Sequence, residues 1–323
     1  MKNRSPLVVS LLAATVLFWW GLSVPSGAFG QDAENGTWLT DFALARETAA
    51  KQGKDIFIHF TGSDWCGFCI ALHDQVLTKP SYTERAGKSF VLVEVDFPRN
   101  KPQSAELKKQ NELLRGKFAI KGYPTLLLAD SLGRAYSRIP NQPGIIPDQL
   151  ASQMESLQSI RKRRDDLLKE ADKLQGMERA EKLNDALGSM DDELAGRYHA
   201  DIVDQIIELD EKDKLKWKNK RKFSKAMDEI QSRIQTLARA NDHEGITRAV
   251  DEFVEKKELK GEQKQRALML KLGLYGAGEL AAAADFLSKI IEIASDSDTG
   301  REAAEIRMRL NEYIAEDQPQ SVH

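Results

Sequence analysis

Apolar and polar positions divide this chain into three stretches with different periods. Residues 7–24 are almost uninterrupted apolar sequence. From residue 31 to about residue 146, short apolar runs alternate with segments of helical spacing. Trp38, Phe42, Ala45 and Ala49 fall on one face of a helix predicted over residues 37–52 and closed by Gly53. Residues 55–60, with Ile56, Phe57, Ile58 and Phe60, are apolar on both faces, as a central strand requires. Helical character resumes over residues 66–76. Further strands are predicted over 90–95, 124–129 and 134–139, the last after a turn at Gly133, with a polar helix over 103–118. This alternation predicts an α/β domain with a mixed central sheet flanked by helices.

The pattern changes after residues 140–147, where Pro140, Pro143, Pro147 and Gly144 mark a linker or domain edge. From 148 onward there is no cysteine and no proline before Pro319, and Glu, Lys, Ala and Leu dominate, which predicts an all-α domain of helical hairpins. Gly176, Gly188, Gly245, Gly261, Gly273, Gly276 and Gly300 punctuate it. Ile246, Val250, Phe253 and Val254 match Ala283, Leu287, Ile290 and Ile291 at a fixed shift. Each block follows a short turn and precedes a second helix, similar in length to tetratricopeptide repeats but without most of their signature residues. An irregular helical bundle accounts for the same pattern. The expected organisation is a leader over 1–30, an α/β domain over 31–146, an all-helical and repeat-like domain over 147–318, and a tail over 319–323.

Composition narrows the function classes. Of 323 residues, 41% are hydrophobic and 30% charged, enough apolar sequence for packed cores. The net charge of −3 gives no pull towards nucleic acid, and no nucleic-acid partner is expected. Charge is unevenly spread: residues 31–146 carry 15 Lys+Arg against 13 Asp+Glu, and residues 147–323 carry 30 against 37. At the amino terminus, Lys2 and Arg4 precede the apolar run, and Ala28 and Gly30 stand at −3 and −1 of a cut before Gln31. This reads as an export signal, to the periplasm of a bacterial cell. Its apolar length leaves two outcomes open, a cleaved signal or a retained membrane anchor through residues 7–24.

Only two cysteines occur, Cys66 and Cys69 in Trp65-Cys66-Gly67-Phe68-Cys69. They exclude a disulfide-stapled scaffold and an all-cysteine zinc site. In an oxidising compartment a lone close pair is a small permanent loop or a working redox couple, and so short a loop stabilises a fold only weakly. A thiol at a helix amino terminus faces unpaired N–H groups and the positive end of the helix dipole, which favour thiolate, the nucleophile of disulfide exchange. Cys66 takes that place as attacking thiol. Cys69, one turn inward, resolves the mixed disulfide, and Gly67 and Phe68 tune the balance between dithiol and disulfide.

Strand, Trp-Cys-x-x-Cys and helix, a later strand ending in Val95-Asp96, and Gly122-Tyr123-Pro124-Thr125 before another strand resemble the thioredoxin family. The segments Phe60-Thr61-Gly62-Ser63-Asp64-Trp65-Cys66 and Val93-Glu94-Val95-Asp96-Phe97-Pro98 resemble more closely a group of exported bacterial thioredoxin-like proteins. The resemblance covers residues 37–140. It implies a thioredoxin fold, thiol–disulfide oxidoreductase activity on protein thiols and disulfides, an external thiol redox partner and no cofactor. It also implies a cis bond before Pro124 beside the cysteines, with the backbone of Tyr123 pairing to an extended substrate segment.

Two departures from the family pattern stand out. Where many members bury an acid as proton acceptor for the resolving thiol, this chain has His59. Two readings stand, a neutral imidazole that carries the proton or a packed, hydrogen-bonded core histidine. Glu94, on the neighbouring strand, is a second proton carrier. The interval from Asp96 to Pro124 is also long, so residues 97–116 hold an extra loop and helix beside the substrate face.

Other chemistries fit less well. Cys66, Cys69 and His73 would supply three metal ligands, but the fourth would have to come from His59, His199, His243 or His323, and no metal is expected. Covalent haem attachment needs histidine at position 70, where Ile70 stands. Residues 212–225, rich in lysine around Trp217 and Phe223, suit either an acidic partner or anionic lipid, or are a solvated helix face. The rival to an enzyme is a scaffold whose helical part binds a protein partner, the redox domain being a sensor or passenger.

Overall fold

The computed structural model describes residues 36–316, apart from Asn141, Pro143 and Asp191. The leader and the tail at 319–323 lie outside the described residues. Five strands, β1 (Trp38–Leu39), β2 (Asp55–Thr61), β3 (Phe90–Asp96), β4 (Thr125–Ala129) and β5 (Ala135–Ile139), form one mixed sheet in the order β1-β3-β2-β4-β5. β3 runs parallel to β1 and β2, whereas β4 is antiparallel to β2 and β5.

The first helix is shorter than its spacing predicts. Asp41 accepts hydrogen bonds from the N–H groups of Ala43 and Leu44, which starts α1 at Phe42–Gln52 and leaves Trp38 and Leu39 free to extend beside Leu92 and Val93. Trp38 therefore lies in an edge strand, a correction to the helix predicted over residues 37–52. Gly53 closes α1 with φ 64°, a left-handed conformation that glycine adopts without strain.

After β2, α2 (Gly67–Leu72) passes into one π-helical turn, His73–Leu77, and α3 (Pro80–Ser89) follows with Pro80 in its first turn. α4 (Ala105–Lys117) is capped by Ser104. Side chains alternate across the sheet. Ile56, Ile58 and Phe60 face α1 and α4, packing with Phe42, Ala45, Leu114 and Phe118. Phe57 and Leu92 face the other way, onto Leu72, Val76, Leu77 and Tyr82. The same alternation puts His59 and Glu94, paired in register across β2 and β3, on the face that α2 covers.

α5 (Pro147–Ala171) begins on Pro147, whose missing N–H costs nothing at a helix start, and folds back over that second face. Its Leu150, Ala151 and Met154 share a core with Phe57, Tyr82 and Leu128. Buried polar groups reinforce the seam. Asp55 accepts from Tyr136 Oη at 2.9 Å and from Gln158 Nε2 at 3.0 Å, with Arg161 Nε at 2.6 Å. Arg164, only 1% exposed, pairs with Asp130 at 3.1 Å. α6 (Gly176–Leu187), α7 (Asp192–Tyr198), α8 (Ala200–Leu209) and α9 (Trp217–Arg239) continue this core through Leu183, Leu187, Ile202, Ile206 and Trp217.

The remaining helices are α10 (His243–Lys256), α11 (Gly261–Met269), α12 (Leu280–Ile293) and α13 (Asp298–Glu316). The matched sequence blocks fall on α10 and α12, each followed by a second helix, with Val250 and Phe253 buried in one and Leu287 and Ile290 in the other. Gly245 and Gly300 lie inside the first turns of α10 and α13 rather than between helices. Among the described residues, no helix is long and apolar enough to cross a membrane.

Candidate active site

The site grows out of the end of β2. After Thr61 the chain turns at Gly62, whose carbonyl accepts the N–H groups of Trp65 at 3.2 Å and Cys66 at 2.9 Å. Only glycine fits here, because a Cβ at position 62 would lie 2.5 Å from Cε2 of the Trp65 indole. That ring is held from the other side too: its Nε1 donates to the Phe97 carbonyl at 2.8 Å, and the Arg99 guanidinium stacks on it at 4.0 Å.

The loop after β3 is fastened to the same turn. Asp64 accepts the backbone N–H groups of Arg99, Asn100 and Lys101 at 2.9, 2.6 and 3.0 Å. These bonds, that from Arg99 foremost, hold its carboxyl below the usual aspartate range. Ser63 donates its N–H and its hydroxyl to the two oxygens of Asp96 at 2.9 and 2.6 Å. The extra segment after Asp96 is thus bonded to the residues that precede Cys66. Neither spacing nor hydropathy reveals this, since Asp64 reads as an ordinary turn residue.

Cys66 occupies the N-cap of α2, with extended backbone and its Sγ accepting from the Cys69 N–H at 3.3 Å. The two cysteines are joined in a disulfide, so the structure is the oxidised state. Cys66 is 8% exposed and Cys69 1%, while Phe68 between them is 71% exposed. Cys66 is therefore the less buried of the pair. Gly67 has open space around its α-carbon.

Tyr123 and Pro124 lead into β4, the antiparallel neighbour of β2. Their peptide bond is cis, and Thr125, the next residue, pairs with Phe60 near the end of β2. The Tyr123 ring meets Trp65 edge-on at 5.7 Å and Phe97 at 5.3 Å. Trp65, Phe97 and Tyr123 form an aromatic wall beside the disulfide turn.

His59 lies on the other face of the sheet, fully buried against the edge of Trp38. It is packed but not hydrogen-bonded: neither ring nitrogen has a partner among the described residues, and Nδ1 stands 4.0 Å from the Glu94 carboxylate, too far for a hydrogen bond. Burial, reinforced by His73, pushes its pKa down to about 3, so the imidazole is neutral. Glu94 moves the opposite way. Burial, and then the charge of Asp96, raise its carboxyl above the usual glutamate range. His73, one turn beyond Cys69, pairs with Asp74 at 2.9 Å. Among the described residues, no three His, Cys, Asp or Glu side chains gather as a metal site.

A thioredoxin-like family model matches residues 37–131. Disulfide bond reductase DsbH of Chlamydia pneumoniae is 36% identical over 112 residues, 35% of this chain and 67% of that protein. Thioredoxin-related protein DsbJ of the same organism is 29% identical over 137 residues, 42% of this chain but only 39% of that protein. A solved structure of a DsbH oxidoreductase aligns with a TM-score of 0.36 at 33% identity, over 39% of this chain and 86% of that one.

Proposed function

Because the chain belongs to the thioredoxin-like family and is a thiol–disulfide oxidoreductase, we propose that it exchanges disulfides with exported proteins, working as a reductant. Cys66 thiolate attacks one sulfur of a substrate disulfide, forming a mixed disulfide and releasing the other substrate sulfur as thiolate. Cys69 thiolate then attacks Cys66 Sγ. The second substrate thiol leaves, the Cys66–Cys69 bond forms, and two electrons have passed to the substrate. With no third cysteine in the sequence, the pair is re-reduced by a thiol from another molecule.

The observation that carries this reading is the position of Cys66 at the N-cap, where its sulfur takes a backbone N–H and the residue is the less buried of the pair. The buried Cys69 is suited to resolution. Glu94, whose carboxyl burial raises above the usual glutamate range, is the group assigned to accept the proton of Cys69, and neutral His59 beside it keeps the site from gaining charge. Trp65, Tyr123 and Pro124 shape the surface where an extended substrate lies. The apolar leader directs export, and the name of the DsbH relative supports the reducing direction.

The test is trapping. The Cys69→Ser variant should accumulate a mixed disulfide with a protein disulfide substrate, Cys66→Ser should not, and wild type should reduce the substrate catalytically with dithiothreitol as donor. A Cys66 thiol that alkylates no faster at pH 7 than free cysteine would refute the assignment.

A further inference from the structure

A cleft of about 790 Å³, lined by no residue of the cysteine turn, is walled by α7, the start of α9 and α11. Its floor is apolar, with Trp217 and Phe223 buried beside Leu259. Its carboxylates are already engaged. Asp192 pairs with Lys220 at 2.8 Å, Asp228 and Glu193 share Arg197, and Glu262 accepts from Thr299. Its cations are not balanced. Lys216, Lys222, Lys225, Lys257 and Arg266 line the cleft with no carboxylate in ion-pair distance among the described residues, Arg266 lying over the Phe223 ring at 5.4 Å. Arg197 adds a buried Nε with no hydrogen-bond partner. The backbone is strained at the same place: Asp213 and Lys216, neither a glycine, hold φ of 51° and 64° in the loop that enters α9.

This concentration of positive charge stands in a part of the chain that is acidic overall, 30 Lys+Arg against 37 Asp+Glu over residues 147–323. We propose that the cleft binds an acidic segment of a partner polypeptide. Its carboxylates meet the five unpaired cations and the Arg197 Nε, and its apolar side chains cover Phe223 and Leu259. The size suits several side chains, within the range of about 300–1,000 Å³ typical of occupied clefts, and exceeds what one inorganic anion fills. A polynucleotide fits less well, because an unbroken row of phosphates offers no apolar side chains to cover Phe223 and Leu259 between the cations. Docking here gives the oxidoreductase a second contact with its partner, independent of the exchange step, and raises the effective concentration of the two at the cysteines.

The test uses the full chain and fluorescence anisotropy of labelled peptides alternating Glu and Leu, Gln and Leu, or Lys and Leu. The Glu peptide should bind, more weakly as salt rises, and the triple variant K216E/K222E/K225E should weaken it by about tenfold or more. Disulfide exchange with a small-molecule disulfide should be unchanged in that variant. Where the triple variant loses its circular-dichroism spectrum, the single exposed substitutions K222Q and K225Q give the same reading with smaller steps. Equal binding of the Gln peptide, or Glu-peptide binding indifferent to the substitutions, overturns the proposal. So does charge-reversal-sensitive binding of phosphatidylglycerol vesicles or single-stranded DNA without binding of the Glu peptide.

Discussion

Replacing Gly62 with alanine isolates how much the turn before Cys66 depends on close packing. The added methyl lands 2.5 Å from Trp65 Cε2 and 2.7 Å from Cζ2 and Nε1, so the indole must retreat by about 1 Å to regain ordinary contact. That retreat strains a packed ring, at about 1–3 kcal/mol. It also stretches the 2.8 Å bond from Nε1 to the Phe97 carbonyl, at about 1 kcal/mol. The sum is a loss of about 2–4 kcal/mol, read from urea unfolding of the oxidised chain followed by Trp fluorescence. Gly67→Ala is the control. It stands in the first turn of α2 with nothing within 4 Å of a new Cβ and should leave stability within about 0.5 kcal/mol or raise it. Equal losses in both variants, or a loss below about 0.5 kcal/mol for Gly62→Ala, would refute the packing argument.

Two further outcomes follow from the same geometry. His59 stays neutral when folded, with a pKa of about 3, but takes up a proton near its ordinary value when unfolded. The stability it supports is therefore complete above pH 6.5 and is lost as pH falls towards 3, at about 1.4 kcal/mol per unit. In His59→Leu the stability gap to wild type should narrow or reverse on acidification from pH 6.5 to 4.5, and a constant gap would contradict the burial argument. Asp64→Asn removes the charged acceptor of three consecutive backbone N–H groups, so hydrogen exchange at Arg99, Asn100 and Lys101 should accelerate while that at Phe57 and Leu92 stays slow. Because the Asp64 pKa is depressed, its contribution is present above the unfolded value and fades as pH falls through the folded one. Unchanged exchange at the three loop amides would show that the loop is held by something else.

What the sequence discloses follows from which signals are local. β2 and β4 are buried on both faces, and their continuous apolar runs read as central strands without knowledge of their neighbours. The paired cysteines and the Tyr123-Pro124 motif are equally local. Trp38 misleads because a two-residue edge strand has no period of its own, and Phe42, Ala45 and Ala49 lend it theirs. α3 goes unpredicted, since Pro-Ser-Tyr-Thr-Glu-Arg-Ala-Gly-Lys-Ser is polar and only Tyr82, Ala86 and Gly87 are buried in it. The grip of Asp64 on residues 99–101 joins positions far apart in sequence, beyond the reach of any periodicity. Prolines 140, 143 and 147 look like a break, yet Pro147 opens a helix that returns to the sheet.

That returning helix has a consequence for how the chain is made. The sheet face bearing Phe57, Leu92 and Leu128 is finished only by Leu150, Met154, Leu183 and Ile206. As the polypeptide emerges from its amino terminus, both cysteines are therefore in the open long before the elements that complete the core around their helix exist. The core around the redox centre is therefore complete only when residues as far along the chain as Ile206 are present, so a chain cut short in the helical part should leave the helix that carries the cysteines incompletely covered.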